Sequence, residues 1–147
     1  MGTSQGRRLE WVNSFDVGVE VIDRQHRELV RLINQFGEAI SNNDSPACQA
    51  SAMAFLTCLS NHFEMEERCL VKAGYPRAQE HADEHKAMLE RSLAMQAQFN
   101  RESAQASHDF CFDTLLQVLV TDLLESDLKY KSHLQEMGMG QRLLLAH

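Results

Sequence analysis

Four histidines and three acidic residues occupy positions at which the surrounding helical pattern places core side chains. Imidazoles and carboxylates are costly to bury unless they are paired or bind a metal ion. Such residues recur in each of four amphipathic segments, so a single shared cause is favoured over four accidents. These candidate metal ligands are His26, His62, Glu66, His81, His85, Asp122 and Asp127.

Two pairs of candidates are four residues apart, His62 with Glu66 and His81 with His85. Residues at this spacing lie on one face of an α-helix, about 6 Å apart along its axis, so both can reach one metal centre. A single pair of this kind is equally typical of a surface position or of a satisfied core pair. Two such pairs, together with polar residues on two further helices, favour a metal site.

The donor types indicate which metal the site would bind. Seven nitrogen and oxygen donors without a cysteine exceed what one tetrahedral zinc ion needs, and they suit two octahedral ions bridged by carboxylates. Imidazole with carboxylate is a fitting donor set for iron, and bundle cores are known to hold dinuclear sites. The sequence lacks the paired Glu-x-x-His motifs of ferritin-like proteins, which argues against that class.

The elements that position these residues are predicted to be helices, since only 7 glycines and 2 prolines interrupt the chain. Apolar residues recur at three- and four-residue spacing from about Ile22, and Ser45-Pro46 is typical of an N-cap followed by a first helical residue. Gly74-Tyr75-Pro76 is typical of a helix end, and residues 103–107 predict a short connection. We therefore expect an all-α fold, an up-down-up-down antiparallel four-helix bundle over residues of about 20–136.

The chain has 147 residues, which predicts a single domain over residues 1–147. Residues 9–18 mix apolar and polar side chains without helical periodicity, so we expect an ordered N-terminal arm packed on the bundle. The tail, residues 137–147, carries an apolar run from Leu143 to Leu145. This tail is expected to begin a linker to a further domain, and folding back on its own bundle is the alternative.

Charge and composition exclude several partners. The chain has 14 Lys+Arg against 21 Asp+Glu, a formal charge of −7, and no basic stripe that would favour nucleic acid. No apolar run approaches the roughly 20 residues of a membrane span, and the N-terminus lacks a signal-peptide apolar region. We expect a soluble cytoplasmic protein with no membrane partner. The cysteines show no C-x-x-C spacing and are expected to be reduced, mostly buried thiols: Cys48, Cys58, Cys69 and Cys111.

Four stretches of the chain match the motifs of a known family in order and spacing. They read Trp11-x-x-x-Phe15-x-Val17-Gly18-Val19-x-x-Ile22-Asp23-x-Gln25-His26, His62-Phe63-x-x-Glu66-Glu67, Tyr75-Pro76 followed by His81 and His85, and Asp127-x-x-Tyr130. From Trp11 to about Leu134 the sequence resembles the hemerythrin family. The resemblance implies a non-haem site of two iron ions with an oxo or hydroxo bridge and with dioxygen as a ligand.

The resemblance also implies a role for each candidate ligand. One iron ion would keep an open position for dioxygen and the other would not. Terminal ligands of the open iron would be His26 and His62, and terminal ligands of the second iron would be His81 and His85. The bridges between the two ions would be Glu66 and Asp127.

Asp122 departs from the family pattern, which has a histidine five residues before the bridging aspartate. That histidine would be the third terminal ligand of the iron served by His81 and His85. Aspartate is shorter by about 1 Å, so three outcomes stay open: direct ligation, a bridging water, or a second open position. An anionic oxygen favours the ferric state and an unfilled position admits another small ligand, and either shortens the life of an oxygenated form.

Three aromatic residues, Trp11, Phe15 and Phe63, would surround the iron ions with a dry wall that favours small apolar gases. Ordinary core packing explains the same residues equally well. Two further histidines, His108 and His133, lie outside the family pattern and are expected to be solvated.

Together these expectations favour the oxygen- or redox-sensing domain of a bacterial signalling protein that autoxidises readily, with a fused output domain as partner. A free-standing oxygen carrier or iron store is the alternative. A diiron peroxidase or nitric oxide reductase is held lower, because the sequence offers no dedicated general acid or electron-partner motif. No catalytic residue is assigned, and an enzyme is not expected.

Overall fold

The computed structural model describes residues 8–101 and 105–137. Within these ranges the chain forms helices and no strand. They are a 3₁₀ turn (Asn13–Phe15), α1 (Glu20–Ser41), α2 (Ser45–Lys72), α3 (Ala78–Arg101), α4 (Gln105–Val120), a π-helical segment (Thr121–Ser126) and α5 (Asp127–Met137). α4 begins inside the connection predicted for residues 103–107, and nearly all of the predicted tail, residues 138–147, lies outside the described ranges.

The helices pack as a closed ring, in which α1 contacts α2, α2 contacts α3, α3 contacts α4 and α4 contacts α1. α4, the π-helical segment and α5 follow one another without a loop and serve as the fourth rod. The 22 residues of α1 span about 33 Å, whereas only residues 42–44 and 73–77 join the first three helices. Such short connections require neighbouring helices to run antiparallel. The expected all-α antiparallel four-helix bundle is confirmed.

Asp23 attaches the N-terminal arm to the start of α1. Its Oδ1 accepts a hydrogen bond from the Val17 N–H at 2.8 Å, and its Oδ2 accepts one from the Gly18 N–H at 3.2 Å. Gly18 has φ +93°, which a glycine adopts without steric cost. Further out, the Asn34 side chain pairs with the backbone of Leu9 through bonds of 2.9 and 3.0 Å. The ordered arm is thus confirmed.

The ends of α2 follow from local hydrogen bonding. Asp44 is the N-cap, because its Oδ1 accepts the Ala47 N–H at 3.1 Å. The Ser45-Pro46 pair predicts this cap one residue later, at Ser45, but an aspartate carboxylate caps equally well. At the other end, the Tyr75 N–H bonds to Leu70 O at 3.0 Å, and Gly74 takes φ +70°, as in a Schellman motif.

The π-helical segment was not predicted. The Asp127 N–H bonds to Asp122 O, five residues back, in place of the four-residue step of an α-helix. In an α-helix, residues five apart differ by about 140° around the axis. The wider turn removes much of this offset, so that Asp122 and Asp127 both point into the bundle and are fully buried.

Two apolar clusters fill the interior. The larger joins all four rods and includes Phe36, Phe55, Phe99 and Phe112, with edge-on ring contacts of 5.9 Å and 5.8 Å made by Phe36. The smaller joins the arm, α1, α2 and α5. All four cysteines are free thiols, and three of them are fully buried while Cys58 is half-buried, as expected. Among the described helices, none combines the length and apolarity needed to cross a bilayer.

Candidate metal centre

The seven candidate ligands meet in the interior of the bundle, and each has an exposed fraction of 3% or less. Every rod contributes, as the sequence predicted. The contributions are His26 from α1, His62 and Glu66 from α2, His81 and His85 from α3, Asp122 from the π-helical segment and Asp127 at the start of α5.

Their ligand atoms fall into two overlapping groups, and within each group all atoms lie within 4.8 Å of one another. We call the group around His26 and His62 the first half-site and the group around His81 and His85 the second half-site. Asp122 and Asp127 belong to both groups, and Glu66 belongs to the second. The cluster therefore has room for two ions with shared carboxylates.

Glu66 faces both half-sites. Its Oε1 lies 2.7 Å from His81 Nε2 and 3.0 Å from His85 Nε2. Its Oε2 lies 3.2 Å from His62 Nε2. One carboxylate thus presents one oxygen to each pair of imidazoles, which is the arrangement a bridging ligand needs.

The two aspartates are placed in the same way. Asp127 Oδ1 lies 3.3 Å from His81 Nε2, and its Oδ2 lies 2.6 Å from His26 Nε2. Asp122, the position at which the sequence departs from the family pattern, also lies in the cluster rather than away from it. The replacement of a histidine has therefore not removed a donor from the interior.

Several buried atoms of the cluster lack a hydrogen-bond partner: His26 Nδ1, His85 Nε2 and both carboxylate oxygens of Asp122 and Asp127. Asp127 Oδ2 and His26 Nε2 approach each other closely but without the alignment of a hydrogen bond. Buried polar atoms are nearly always satisfied in folded proteins. These unsatisfied polar atoms therefore fit a site that could hold a cation.

The spacing of the donors fits octahedral ions. Two ligands at right angles on an ion, with bonds of about 2.1 Å, are about 3.0 Å apart. His26 Nε2 and His62 Nε2 are 3.0 Å apart, and His85 Nε2 and Glu66 Oε1 are also 3.0 Å apart. Imidazole nitrogens with carboxylate oxygens, and no thiolate, match the preferences of iron.

Two polar residues orient the imidazoles from outside the cluster. Gln25 Oε1 lies 2.9 Å from His62 Nδ1, and Glu67 Oε2 lies 3.0 Å from His85 Nδ1. An acceptor at Nδ1 holds the proton there and leaves the Nε2 lone pair for a metal. Glu67 thus supports His85 from the rim of the cluster. No role was predicted for Gln25, although it stands one residue before His26 in the first motif.

Tyr130 supports Glu66. Its hydroxyl is fully buried and donates a hydrogen bond of 2.9 Å to Glu66 Oε2. Burial, together with the nearby carboxylates of Asp127 and Glu66, raises the pKa of Tyr130 well above its usual value. The phenol therefore remains a donor at neutral pH.

A polar link joins α3 to the fourth rod beside the cluster. Glu84 accepts hydrogen bonds from Ser126 Oγ at 3.1 Å and from Lys129 Nζ at 2.9 Å. Glu84 Oε1 also lies 3.9 Å from His81 Nδ1. The carboxylate thus touches the π-helical segment, α5 and the edge of the second half-site.

The metal-free cluster holds charges that a cation would rearrange. Burial lowers the pKa of His81 and His85, but nearby carboxylates outweigh this effect. Asp127 and Glu66 raise the pKa of His81 to about 9, and Asp122 and Glu66 raise the pKa of His85 to about 10. Burial, then Asp122 and Glu66, raise the pKa of Asp127 well above its usual range. Because ligand atoms must be deprotonated, metal binding has to displace these protons.

The aromatic wall predicted around the site is clearest at Phe63. Its ring stacks on His85 with centroids 3.8 Å apart and planes 10° apart. Trp11 and Phe15 pack edge to face at 5.3 Å and join the same apolar cluster as Phe63. A surface cleft of about 500 Å³ between α2 and α3 reaches Phe63, His85 and Glu67. The cleft thus borders the second half-site.

Two further histidines among the described residues stand apart from the cluster. His108 is buried and stacks on Phe99 at 4.7 Å, so the expectation that it is solvated was wrong. Its position near the start of α4 gave no sign that Phe99 would cover it. His133 is half-buried, with its ring 5.3 Å from Tyr75.

Fold and site together define a helical-bundle protein whose core carries residues that could hold metal cations. The sequence model of the hemerythrin HHE cation binding domain matches residues 17–134. The chain belongs to the hemerythrin family.

Individual relatives are similar at low identity. A bacteriohemerythrin of Stenotrophomonas maltophilia (strain R551-3) is 26% identical over 91 residues, 62% of this chain and 60% of the relative. A myohemerythrin of Theromyzon tessulatum is 24% identical over 125 residues, 85% and 92% of the two chains. A hemerythrin-like protein of Naegleria gruberi is 27% identical over 131 residues, 89% and 98% of the two chains. The match to the bacteriohemerythrin thus spans about 60% of that relative's length.

Proposed function

We propose that this chain binds two non-haem iron ions and dioxygen, and that it acts as an oxygen- or redox-sensing domain. The observation that carries the proposal is the buried cluster of four imidazoles and three carboxylates in two half-sites. Membership of a cation-binding family supports it. The proposed ligands are His26, His62, Glu66, His81, His85, Asp122 and Asp127.

Iron, when bound, would supply the electrons that dioxygen binding requires. The residues of the chain hold the donors in place and keep water away. Gln25 and Glu67 fix the tautomers of His62 and His85, Tyr130 fixes one oxygen of Glu66, and Phe63 covers His85. The burial of the cluster and the apolar cover of Phe63 favour a small neutral gas over an ionic ligand.

Sensing is favoured over storage by the charge of the centre. Asp122 stands where the family pattern has a neutral imidazole, and an anionic oxygen ligand favours the ferric state. An oxygenated form would therefore decay readily to the ferric form. Reversible storage needs a long-lived oxygenated form, whereas a sensor needs only a change of state.

The fourth rod offers a route by which such a change could travel. Asp122 and Asp127 border the π-helical turn, and Ser126 and Lys129 of the same region are bound to Glu84. π-helical turns are uncommon and often occur at functional sites. We propose that a change of iron oxidation state shifts this turn and moves α5, to which an output domain or partner protein would respond.

The test begins with protein purified without oxygen, from which metal content and the ultraviolet-visible spectrum are measured before and after exposure to air. Two iron ions per chain, with charge-transfer bands that pass to a ferric spectrum within minutes, are expected. One zinc ion, or no metal, would overturn the diiron proposal. An oxygenated spectrum stable for hours would overturn sensing and favour a carrier.

A pair of matched variants shows whether the iron lies in the proposed place. His62→Gln removes a ligand of the first half-site and should lower the iron content. His133→Gln makes the same change at a half-buried histidine outside the cluster and should retain both ions. Equal iron content in the two variants would contradict the assignment.

A further inference from the structure

We infer that Asp122 is a third bridging carboxylate, so that each metal position is held by two imidazole nitrogens and three carboxylate oxygens. This inference rests on the proposed two-metal function. It differs from the role that the family pattern implies for this position, which is that of a terminal ligand of one ion.

The first argument is the position of the two oxygens of Asp122. Oδ1 lies 3.3 Å from His85 Nε2, in the second half-site. Oδ2 lies 3.3 Å from His62 Nε2 and 3.7 Å from His26 Nε2, in the first half-site. A terminal ligand of the second ion would have no reason to turn an oxygen toward the first half-site.

The second argument is that Glu66 and Asp127 show the same division. Glu66 directs Oε1 to the second half-site and Oε2 to the first. Asp127 directs Oδ1 to the second and Oδ2 to the first. Asp122 therefore repeats the geometry of Glu66 and Asp127, which would bridge the two ions whether Asp122 is a bridging or a terminal ligand.

The third argument is that both oxygens of Asp122 are buried and lack a hydrogen-bond partner. The side chain is fully buried, so no water shell satisfies it. A carboxylate that binds one ion through one oxygen would leave its second oxygen without a partner, which is costly in a dry interior. Bridging satisfies both oxygens.

The π-helical turn explains how a side chain as short as aspartate reaches this position. The five-residue hydrogen bond from the Asp127 N–H to Asp122 O holds the two aspartates on one side of the rod. Both can then enter the space between the half-sites from the same direction. The turn thus places two carboxylates of one rod against the single glutamate of α2.

The resulting centre has equal donor sets in its two halves. The second half-site groups five donor residues and the first groups four, to which Glu66 adds Oε2 at 3.2 Å from His62 Nε2. With that oxygen each half-site offers five protein donors, and an octahedral ion then keeps one position for an external or solvent-derived ligand. Three carboxylates give the protein part of the centre a charge of −3, one more than Glu66 and Asp127 alone would provide. The equality of the two halves is the property that spectroscopy separates from the terminal-ligand alternative, because a terminal Asp122 gives the same charge.

The experiment adds ⁵⁷Fe²⁺ without oxygen to metal-free full-length chain, counts bound iron and records Mössbauer spectra. Bridging predicts two ions per wild-type chain with one unresolved quadrupole doublet, because the donor sets are equal. A terminal Asp122 predicts two resolved doublets of equal area, because only one ion gains the extra oxygen. The second spectrum would overturn the inference while leaving the two-iron proposal intact.

Variants give an independent readout through iron affinity. Asp122→Ala should lower the binding affinity for both ions by about 10-fold or more, since each ion loses an oxygen ligand. A lower affinity for only one of the two ions would overturn bridging. Asp122→His should keep two ions and split the spectrum into two doublets, because one imidazole reaches one ion. A single doublet in Asp122→His would contradict the inference.

The matched control is Glu125→Gln, which neutralises an exposed carboxylate of the same segment and should change neither affinity nor spectrum. Circular dichroism of each variant confirms that the bundle is folded. If the wild-type chain binds fewer than two ions, the proposed function fails, and bridging fails with it. If the wild type binds two and Asp122→Ala loses one alone, only bridging fails.

Discussion

The Tyr130 hydroxyl donates a hydrogen bond of 2.9 Å to Oε2 of Glu66, 64 residues away in the chain. Both side chains are fully buried, so the bond forms where water cannot compete. It leaves Oε1 of the glutamate free to face His81 and His85. The phenol thereby fixes the orientation of a carboxylate that faces both half-sites.

Tyr130→Phe should weaken metal binding and the metal-free fold together. A hydrogen bond to a charged group contributes about 1.5–3 kcal/mol, and loss of a group that supports a ligand typically costs about 10- to 100-fold in metal affinity. Urea unfolding and competition with a chelator measure the two effects. Tyr75→Phe is the control, because it removes a hydroxyl from the neighbouring ring, whose centroid is 6.0 Å away. Equal affinities in the two variants would contradict the role of Tyr130.

Glu67→Gln should raise the reduction potential of the bound iron. The Glu67 carboxylate lies 3.0 Å from His85 Nδ1, and a carboxylate there makes the imidazole a stronger donor, which stabilises the higher oxidation state. The amide keeps an acceptor oxygen but removes the charge. Redox titration followed by absorbance measures the shift. The control Glu64→Gln alters an exposed carboxylate paired with Arg68, and a shift of equal size there would show that only surface charge matters.

Removal of the metal should lower the thermal stability of the chain. Seven polar ligand residues are buried together, and without ions several of their atoms have no partner. Ligand at about 1,000 times its dissociation constant stabilises a fold by about 4 kcal/mol, which corresponds to a rise in Tm of about 10 °C for a domain of this size. Calorimetry of chelator-treated and iron-loaded protein measures the difference. Identical melting temperatures would mean that the ions do not bind the folded cluster.

The thiols should react with Ellman's reagent in two classes at pH 8. Cys58 is half-buried and should react first, although burial raises the pKa of its thiol and slows it. Burial, with a smaller contribution from Cys48, raises the pKa of Cys111 to about 12, so almost no thiolate forms there in the folded state. The slow class should appear only in denaturant. Early reaction that persists in Cys58→Ser would place another thiol at the surface.

The sequence predicted the helices and the clustering of the candidate ligands because both follow short-range rules. Paired residues such as His62 and Glu66 share a face at four-residue spacing, and Gly74 ends a helix through its own φ angle. The position of Asp122 between two half-sites depends on a π-helical hydrogen bond, which no propensity scale reports. Its only signal in the sequence was the five-residue spacing to Asp127.

Other features depend on packing between distant segments. Tyr130 stood in the motif of the fourth rod, but its partner lies on α2, and sequence spacing carries no information on that contact. His108 was expected to be solvated because it lies outside the family pattern, yet Phe99 of α3 covers it. Contacts of this kind depend on how the helices pack against one another, which local sequence patterns do not specify.

The π-helical segment Thr121–Ser126 is also a place at which the chain could lose one residue without losing the cluster. It carries Asp122 and Asp127 on one side of the rod at a spacing of five residues, and an ordinary α-helix achieves the same with four. Loss of one exposed residue, Leu124 or Glu125, would therefore yield a regular helix in which both carboxylates still face the interior. A chain shortened by one residue at this point can thus build the same centre, whereas a deletion within α1 or α2 would rotate the ligands that follow it out of the interior.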